Sequence, residues 1–237
     1  MNAIKKAIVQ ASRKWFDVSS RETLDAAIEE IRTDVFAAQV LAPLSGKYVP
    51  WTMPALRPGA LATILNDIVI NQRKVIVECG GGVSTIYIAR LLKQIGGGHL
   101  YTIEHGADWI EILKEQVAAE KEFVTFIHAP MRPLKRIRAG DWYDEAVVTE
   151  ALQGVHIDLL VVDGPNETLD DLQIRYAALP ILQPFFSEKH ALTLDDVNRK
   201  GERVILAEWK KQVNLNFHIV SNMAIGLQTD AYKSFIG

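Results

Sequence analysis

From residue 60 onward, helical stretches alternate with short apolar runs. The apolar runs are "KVIVECG" over 74–80, "HLYTIEH" over 99–105, "FVTFIHAP" over 123–130, "IDLLVVDGP" over 157–165 and "HALTLDD" over 190–196. This alternation is typical of right-handed βαβ units, in which helices cover both faces of a parallel sheet. The sequence therefore predicts an α/β fold with a doubly wound, mostly parallel sheet.

The two ends of the chain depart from this alternation. Two apolar segments, "NFHIVSNMAIG" and "AYKSFIG", are separated only by "LQTD", which predicts a closing antiparallel hairpin. At the other end, the first 40 residues have helical periodicity, with capping-box spacing at Ser19 and Glu22. A proline-rich connector follows, so we predict a helical extension over 1–45 and a main domain over 46–237.

Composition and charge argue against several classes of function. A net charge of −3 over 237 residues makes nucleic acid and anionic membranes poor partners. The single cysteine, Cys79, excludes an internal disulfide and a cysteine-rich zinc site. The chain has no run of 18 apolar residues and no signal-peptide pattern, so we expect a cytoplasmic protein.

The segment "VECGGGVST" ends an apolar strand with an acid and three glycines. Glycines between a strand and a helix allow a sharp turn and let the backbone approach a ligand closely. Glu104 ends the next strand, where open α/β sheets place an acid that binds ribose hydroxyls. Glu78, directly before the turn, would repel a pyrophosphate and would suit a ligand that carries positive charge.

The motifs "VECGGGVST", "YTIEH", "IDLLVVDGP" and "LTLDD", in this order, resemble those of class I S-adenosylmethionine-dependent methyltransferases. Within that class the chain is most similar to O-methyltransferase-like members with "VDGP" after the fourth strand. The resemblance covers roughly residues 48–237, including the entry segment "YVPWTMPALRP". It implies a seven-stranded Rossmann-like methyltransferase fold with an antiparallel C-terminal β-hairpin, and S-adenosylmethionine as the cofactor.

The resemblance also implies roles for individual residues. Glu78 is expected beside the methionine part of the cofactor, Glu104 at the ribose hydroxyls and His105 near the adenine edge. An acid that the family often carries after the third strand is replaced here by His128 and Ala129. The predicted cofactor-binding residues are Glu78, Cys79, Gly80, Gly81, Gly82, Ser84, Thr85, Glu104, His105 and Asp163.

Candidate catalytic groups end the fourth and fifth predicted strands, at Asp163, Asp195 and Asp196. In the metal-dependent relatives, an acid and an Asp-Asn pair at these places hold a divalent cation. Three converging carboxylates would suit magnesium, which prefers oxygen ligands. Alternatively, Asp163 positions the sulfonium or the substrate, and Asp196 caps the helix predicted to begin near Asn198.

The predicted function is methyl transfer, most simply O-methylation, to a small-molecule or sugar-like acceptor. Trp51 in the entry segment and Arg132 in the basic stretch "MRPLKRIRAGDWYDE" are the candidate substrate residues. If that stretch covers the substrate mouth, the acceptor is acidic. Two other functions stay open: a non-catalytic methyltransferase-like scaffold that associates with partners through its N-terminal helices, and an NAD-dependent oxidoreductase. Packing of the N-terminal helices on the core or on a second subunit, which would form a homodimer, also stays open.

Overall fold

The computed structural model describes residues 24, 27–52, 54–134, 137, 140–166, 168 and 171–235. The capping box predicted at Ser19 and Glu22 lies outside them. Within the predicted N-terminal extension, residues 27–41 form helix α1. Asp34 of this helix accepts hydrogen bonds from the Arg57 side chain, at 2.6 Å, and from the Gly59 backbone, at 3.0 Å. These bonds attach α1 to the start of the next helix.

The main domain alternates helices and strands as predicted. Its helices are α2 (Pro58–Ile70), α3 (Val83–Ile95), α4 (Ala107–Gln116), α5 (Glu145–Ala151), α6 (Ala178–Leu182) and α7 (Lys200–Trp209). Its strands are β1 (Val75–Cys79), β2 (His99–Glu104), β3 (Val124–His128), β4 (Met131–Pro133), β5 (Asp141–Tyr143), β6 (Ile157–Val162), β7 (Phe186–Leu194), β8 (Asn216–Val220) and β9 (Met223–Leu227).

Seven strands form one sheet in the order β3-β2-β1-β6-β7-β9-β8, and β4 pairs with β5 in a separate two-stranded sheet. In the seven-stranded sheet, the five neighbouring strands β3, β2, β1, β6 and β7 are parallel. Strand β9 is antiparallel to both of its neighbours, β7 and β8. The predicted fold class is therefore confirmed. Strand order reverses between β1 and β6, and open α/β sheets bind ligands at the carboxyl ends of strands beside such a point.

Alternate residues of the central strands are buried on opposite faces of the sheet. Ile76 and Leu159 pack into the apolar core on one face, and Val77 and Leu160 pack into the core on the other. A strand that is buried on both faces is a continuous apolar run, which explains why β1 and β6 stand out in the sequence. Among the described residues, no helix combines the length and hydrophobicity that a membrane span requires.

The closing hairpin exists, but its predicted position was wrong. The turn lies at Ser221 and Asn222, inside the segment predicted as one strand, and "LQTD" leads out of β9. Both turn residues have positive φ, 46° and 68°. Two consecutive residues of positive φ form the kind of two-residue turn whose twist matches antiparallel strands, and asparagine tolerates that conformation well.

The segment between β3 and β6 contains more regular structure than predicted. It forms the β4–β5 pair and helix α5, which Asp144 caps by accepting hydrogen bonds from two backbone N–H groups. The sequence pattern predicts a helix around 169–182, but the regular structure there is a 3-10 turn at Ile174–Ala177 followed by the short helix α6. Leu172 and Gln173 form a turn, and Thr168 and Asp171 belong to no regular element.

Candidate active site

A cavity of about 290 Å³ opens where the carboxyl ends of β1, β2 and β6 meet. Its walls come from the entry segment, the glycine turn after β1, the end of β2, helix α4, strand β5 and the turn after β6. The lining residues used below are Gly80, Gly81, Gly82, Glu104, His105, Trp109, Tyr143, Asp163 and Gly164. The cavity lies at the point where the strand order reverses, which is where a parallel sheet of this kind offers a ligand site.

The glycine turn forms the floor of this cavity through close backbone contact. Gly80 has φ +88°, and a Cβ there would lie 2.9 Å from the Cα of Gly164, in the turn after β6. No atom within 4 Å would meet a Cβ on Gly82, which opens toward the cavity. The turn is closed by the Gly82 N–H, which donates to Thr85 Oγ1 at 2.9 Å. Glycine at position 80 therefore allows close contact with the backbone of Gly164, whereas glycine at position 82 leaves open space at the cavity.

Glu78 lies behind the glycine turn and does not line the cavity. Its side chain is fully buried, and its carboxylate accepts hydrogen bonds from Thr85 Oγ1 at 2.5 Å and Thr102 Oγ1 at 3.1 Å. Burial raises the pKa of Glu78 to about 7, although hydrogen bonds from neighbouring hydroxyls oppose the shift. Through Thr85, this carboxylate is linked to the backbone that forms the turn.

The substitution Glu78→Gln is expected to remove a pH dependence of stability. Because the folded-state pKa is about 7 and the ordinary value is 4.5, the folded protein holds a proton that the unfolded chain has lost between these pH values. The free energy of unfolding therefore falls as pH rises through this window, by about 1.4 kcal/mol per unit of pKa shift. Urea titrations below, within and above the window measure it.

The matched control for this prediction is Glu111→Gln, since the Glu111 side chain is 70% exposed. That variant should keep the wild-type slope of stability against pH. The comparison uses the slope of the free energy of unfolding against pH. A loss of stability from the new buried amide that is the same at every pH does not change this slope. Identical slopes for wild type and Glu78→Gln would contradict a raised pKa at Glu78.

Glu104 connects the end of β2 to the glycine turn. Its carboxylate accepts hydrogen bonds from the backbone N–H groups of Gly81 at 3.1 Å, His105 at 2.7 Å and Gly106 at 2.8 Å. The His105 Nδ1 atom lies 2.9 Å from the same carboxylate. Glu104 is 5% exposed and lines the cavity. A carboxylate held in this way is a fixed acceptor for ligand hydroxyls.

Two aromatic side chains complete the cavity wall. Trp109 of α4 donates from Nε1 to the Gly81 carbonyl at 2.7 Å. Tyr143 of β5 is 1% exposed, and among the described residues its hydroxyl has no hydrogen-bond partner. Burial also raises the pKa of Tyr143 above its ordinary value, so this hydroxyl keeps its proton. Tyr143 therefore presents a buried donor at the wall of the cavity.

The three predicted acids at the ends of β6 and β7 come together, because one oxygen from each of Asp163, Asp195 and Asp196 lies within 4.8 Å of the others. Burial raises the pKa of Asp163 well above its usual range, and the charge of Asp195 raises it further. Burial, then the charge of Asp196, raises the pKa of Asp195 to about 7. Asp163 is the member of this group that lines the cavity.

Arg175 lies inside this acidic cluster. Its Nη1 atom is 3.2 Å from Asp196 Oδ2, and its Nη2 atom is 3.5 Å from Asp163 Oδ1. A divalent ion fits this group poorly, because a permanent positive charge already lies among the carboxylates. The alternative role of Asp196 as a helix cap is wrong, since α7 begins at Lys200 and has no side-chain cap.

The comparisons with known proteins agree with this geometry. The sequence model of a family described as "Methyltransferase domain" matches residues 77–197, from β1 through the turn after β7. The chain belongs to this methyltransferase family. The predicted class, an S-adenosylmethionine-dependent methyltransferase of the class I kind, is confirmed at the level of family and fold. No curated protein matches the sequence at a significant level.

Solved structures with the same fold are also methyltransferases by name. A Staphylococcus aureus protein assigned as a caffeoyl-CoA O-methyltransferase is 16% identical, with a TM-score of 0.56, over 82% of this chain and 98% of that one. A Podospora anserina methyltransferase bound to S-adenosylhomocysteine is 11% identical, with a TM-score of 0.54, over 90% and 96%. At these identities the likeness shows the fold.

In this methyltransferase, the residues predicted for the site lie in three places. The glycines, Glu104, His105 and Asp163 line the cavity. Behind the wall lie the buried residues Glu78, Cys79, Ser84, Thr85 and Asp195, together with the half-buried Asp196. The two predicted substrate residues lie elsewhere: Trp51 packs against Tyr87, with ring centroids 5.9 Å apart, and the Arg132 side chain is 65% exposed beside Asp144.

The cavity and the acidic cluster also contain residues that the sequence did not single out. Trp109 follows Glu104 by five residues and is half-buried at the cavity. The helical periodicity of residues 107–120 indicates only the apolar face at Ile110, Leu113 and Val117. Arg175 lies in a segment predicted simply as helix. No motif identifies either residue, because their role arises from contacts between segments distant in sequence. Pro50 and Thr52 of the entry segment line the cavity, where Trp51 was expected.

Proposed function

We propose that this methyltransferase binds S-adenosylmethionine in the cavity at the ends of β1, β2 and β6, and transfers its methyl group to a hydroxyl of a small-molecule acceptor. The observation that carries the proposal is the fixed Glu104 carboxylate, which lines the same cavity as Gly82, where a Cβ would meet no atom within 4 Å. Both residues lie within the part of the chain that matches the methyltransferase family. The named O-methyltransferase from Staphylococcus aureus supports oxygen as the methyl acceptor.

In this proposal the cavity wall supplies the contacts that hold the cofactor. Glu104 accepts hydrogen bonds from the ribose hydroxyls, and His105 borders the adenine. Gly82 leaves room for the cofactor to approach the backbone, since a Cβ there would point into open space. The Tyr143 hydroxyl, which lacks a partner among the described residues, donates a hydrogen bond to the bound ligand.

The reaction moves a methyl group from a sulfonium to an oxygen. The sulfur–carbon bond breaks as the oxygen–carbon bond forms, and S-adenosylhomocysteine leaves with the electron pair on sulfur. The acceptor hydroxyl gives its proton to Asp163, which lines the cavity and has a pKa raised by burial. The Arg175 guanidinium, 3.5 Å from Asp163, favours the ionised carboxylate that this step requires, and a raised pKa makes that carboxylate a stronger base. Alignment of oxygen, methyl and sulfur supplies the rest of the acceleration.

The space beside the cofactor cavity supports a polar acceptor of modest size. A second cavity of about 620 Å³ adjoins the first and shares His105, Pro165 and Asn166 with it. Asp141 and Asp171 line this second cavity. Carboxylates accept hydrogen bonds from hydroxyls and repel anions, so this lining favours a hydroxyl-rich, sugar-like acceptor over an acidic one.

Calorimetric titration of the purified protein with S-adenosylmethionine tests the proposal directly. We expect saturable, one-to-one binding in the micromolar range, corresponding to about −8 kcal/mol. Titration with NADH under the same conditions is expected to show no binding. Thr85 occupies the position of the third glycine in the dinucleotide fingerprint G-x-G-x-x-G, and the acid Glu78 before the turn would repel a pyrophosphate. Binding of NADH instead would contradict the proposal and favour the oxidoreductase. Absence of binding to both would favour the scaffold.

A further inference from the structure

The acidic cluster at the ends of β6 and β7 contains a buried arginine whose charge is permanent. Arg175 is 1% exposed and contacts carboxylates on two sides, with Asp196 at 3.2 Å and Asp163 at 3.5 Å. A third carboxylate, of Glu202, lies 3.8 Å away. A guanidinium does not lose its proton in proteins, so these acids face a fixed positive charge at every accessible pH.

Backbone hydrogen bonds hold the guanidinium in this position. Arg175 Nε donates to the Pro165 carbonyl at 3.1 Å, in the turn after β6. Its Nη1 atom donates to the Asp195 carbonyl at 3.3 Å, in the turn after β7. The side chain thus bridges the two turns that carry the acids, and it cannot leave the cluster without breaking both bonds.

A second cation adds to the charge at the outer side of the cluster. Arg199 Nη1 lies 2.9 Å from the same Asp196 Oδ2 atom that Arg175 contacts. A magnesium ion among these carboxylates would need oxygen atoms at about 2.1 Å and would stand directly beside the guanidinium. The ion and the guanidinium are both positively charged, and like charges in contact repel strongly in a buried environment. One of the two carboxylate oxygens of Asp196, Oδ2, is already shared by these two arginines.

We propose that Arg175 is the internal cation of this cluster, standing where metal-dependent relatives hold a divalent ion, and that the protein needs no such ion. The part of the inference that concerns catalysis rests on the proposed function. In it, Arg175 is a positioning residue: it holds the two strand-end turns together and keeps Asp163 at the cavity wall. The carboxylates are arranged for an arginine, and their convergence does not make a metal site.

Manganese binding, followed by electron paramagnetic resonance, tests this without reference to activity. Wild-type protein, with and without S-adenosylmethionine, is expected to bind no Mn²⁺ at millimolar concentration. The variant Arg175→Met removes the charge and leaves the carboxylates in place, so we expect it to bind Mn²⁺ with a Kd at least tenfold below the highest concentration at which wild type shows no binding. Stoichiometric Mn²⁺ binding by wild type that Asp196→Asn abolishes would overturn the proposal.

The matched control is Arg73→Met. Arg73 is also buried, at 3% exposed, but it pairs with the carboxylate of Asp67 at 2.9 Å. Its loss should destabilise the protein in a similar way and create no Mn²⁺ site. A folded Arg175→Met protein that binds no Mn²⁺ would contradict the charge argument. If Arg175→Met does not fold, the Mn²⁺ titration of wild type still tests the proposal. A metal site in the acidic cluster of wild type would exclude Arg175 as its resident cation.

The two proposals fail separately in these experiments. Calorimetry with S-adenosylmethionine tests the proposed function, and its result does not depend on metal. If wild type binds the cofactor, methyl transfer to an acceptor should be unchanged by a chelator. If it binds no cofactor, the proposed function fails, whereas the Mn²⁺ titrations of wild type and Arg175→Met still test the role of Arg175.

Discussion

Replacement of Glu104 by alanine is expected to weaken binding of S-adenosylmethionine at least tenfold, a loss of about 1.4 kcal/mol or more. The carboxylate lines the cavity and is the proposed acceptor for the ribose hydroxyls. It also fixes three backbone N–H groups, of Gly81, His105 and Gly106, so its removal loosens the turn that borders the ligand. Calorimetric titration of wild type and variant measures the loss.

Stability has to be followed alongside this affinity. We expect Glu104→Ala to lower the free energy of unfolding by about 1–3 kcal/mol, because backbone donors near the cavity lose their acceptor. The variant should still be folded, so the binding loss is measured on native protein. Glu111→Ala, on the exposed side of α4, is the control and should change neither quantity. Unchanged affinity in folded Glu104→Ala would remove Glu104 from the ribose site.

The substitution Gly80→Ala is expected to lower the free energy of unfolding by about 3 kcal/mol and to abolish cofactor binding. Two costs combine: a non-glycine residue at φ +88° is strained, and its Cβ would lie 2.9 Å from the Cα and N atoms of Gly164. The Gly164 turn must then move away from β1. Since this contact forms the floor of the cavity, the site opens along with the loss of stability.

Gly97→Ala is the matched control for this prediction. Gly97 lies in the turn between α3 and β2, and a Cβ there would meet no atom within 4 Å. Its substitution should leave stability and cofactor affinity close to wild type. Denaturant titration and calorimetry of both variants measure the contrast. If Gly80→Ala proves as stable as Gly97→Ala, the close approach of the β1 and β6 turns is not what requires glycine at position 80.

The parallel part of the fold was predictable because its strands are buried on both faces. Each such strand needs an uninterrupted apolar run, and β1 and β6 have one in "VIV" and "LLVV". The hairpin was predicted in kind but misplaced, because "NFHIVSNMAIG" contains no glycine or proline at the turn. Ser221 and Asn222 form the turn with positive φ, and pairing of β9 with β7 selects that register.

The site divides in the same way. The glycine turn and Glu104 were predictable, since local chain geometry at a strand end requires small residues and an acid at known spacing. Trp109 and Tyr143 could not be recognised as cavity residues, because each belongs to an element whose packing decides which side chain points inward. Trp51 and Arg132 show the reverse case, since both have suitable chemistry but lie outside the cavity wall.

The sequence alone determined the alternation of helices and strands in the parallel sheet and the strand ends at which polar groups collect, and the resemblance of its motifs indicated the methyltransferase class. These follow from periodicity and local motifs, which depend on neighbours along the chain. Only the tertiary structure decided what surrounds Asp163, Asp195 and Asp196, because Arg175 reaches them from a segment between β6 and β7. Electrostatic pairing depends on distance in space, so three acids that suggested a metal are found around an arginine.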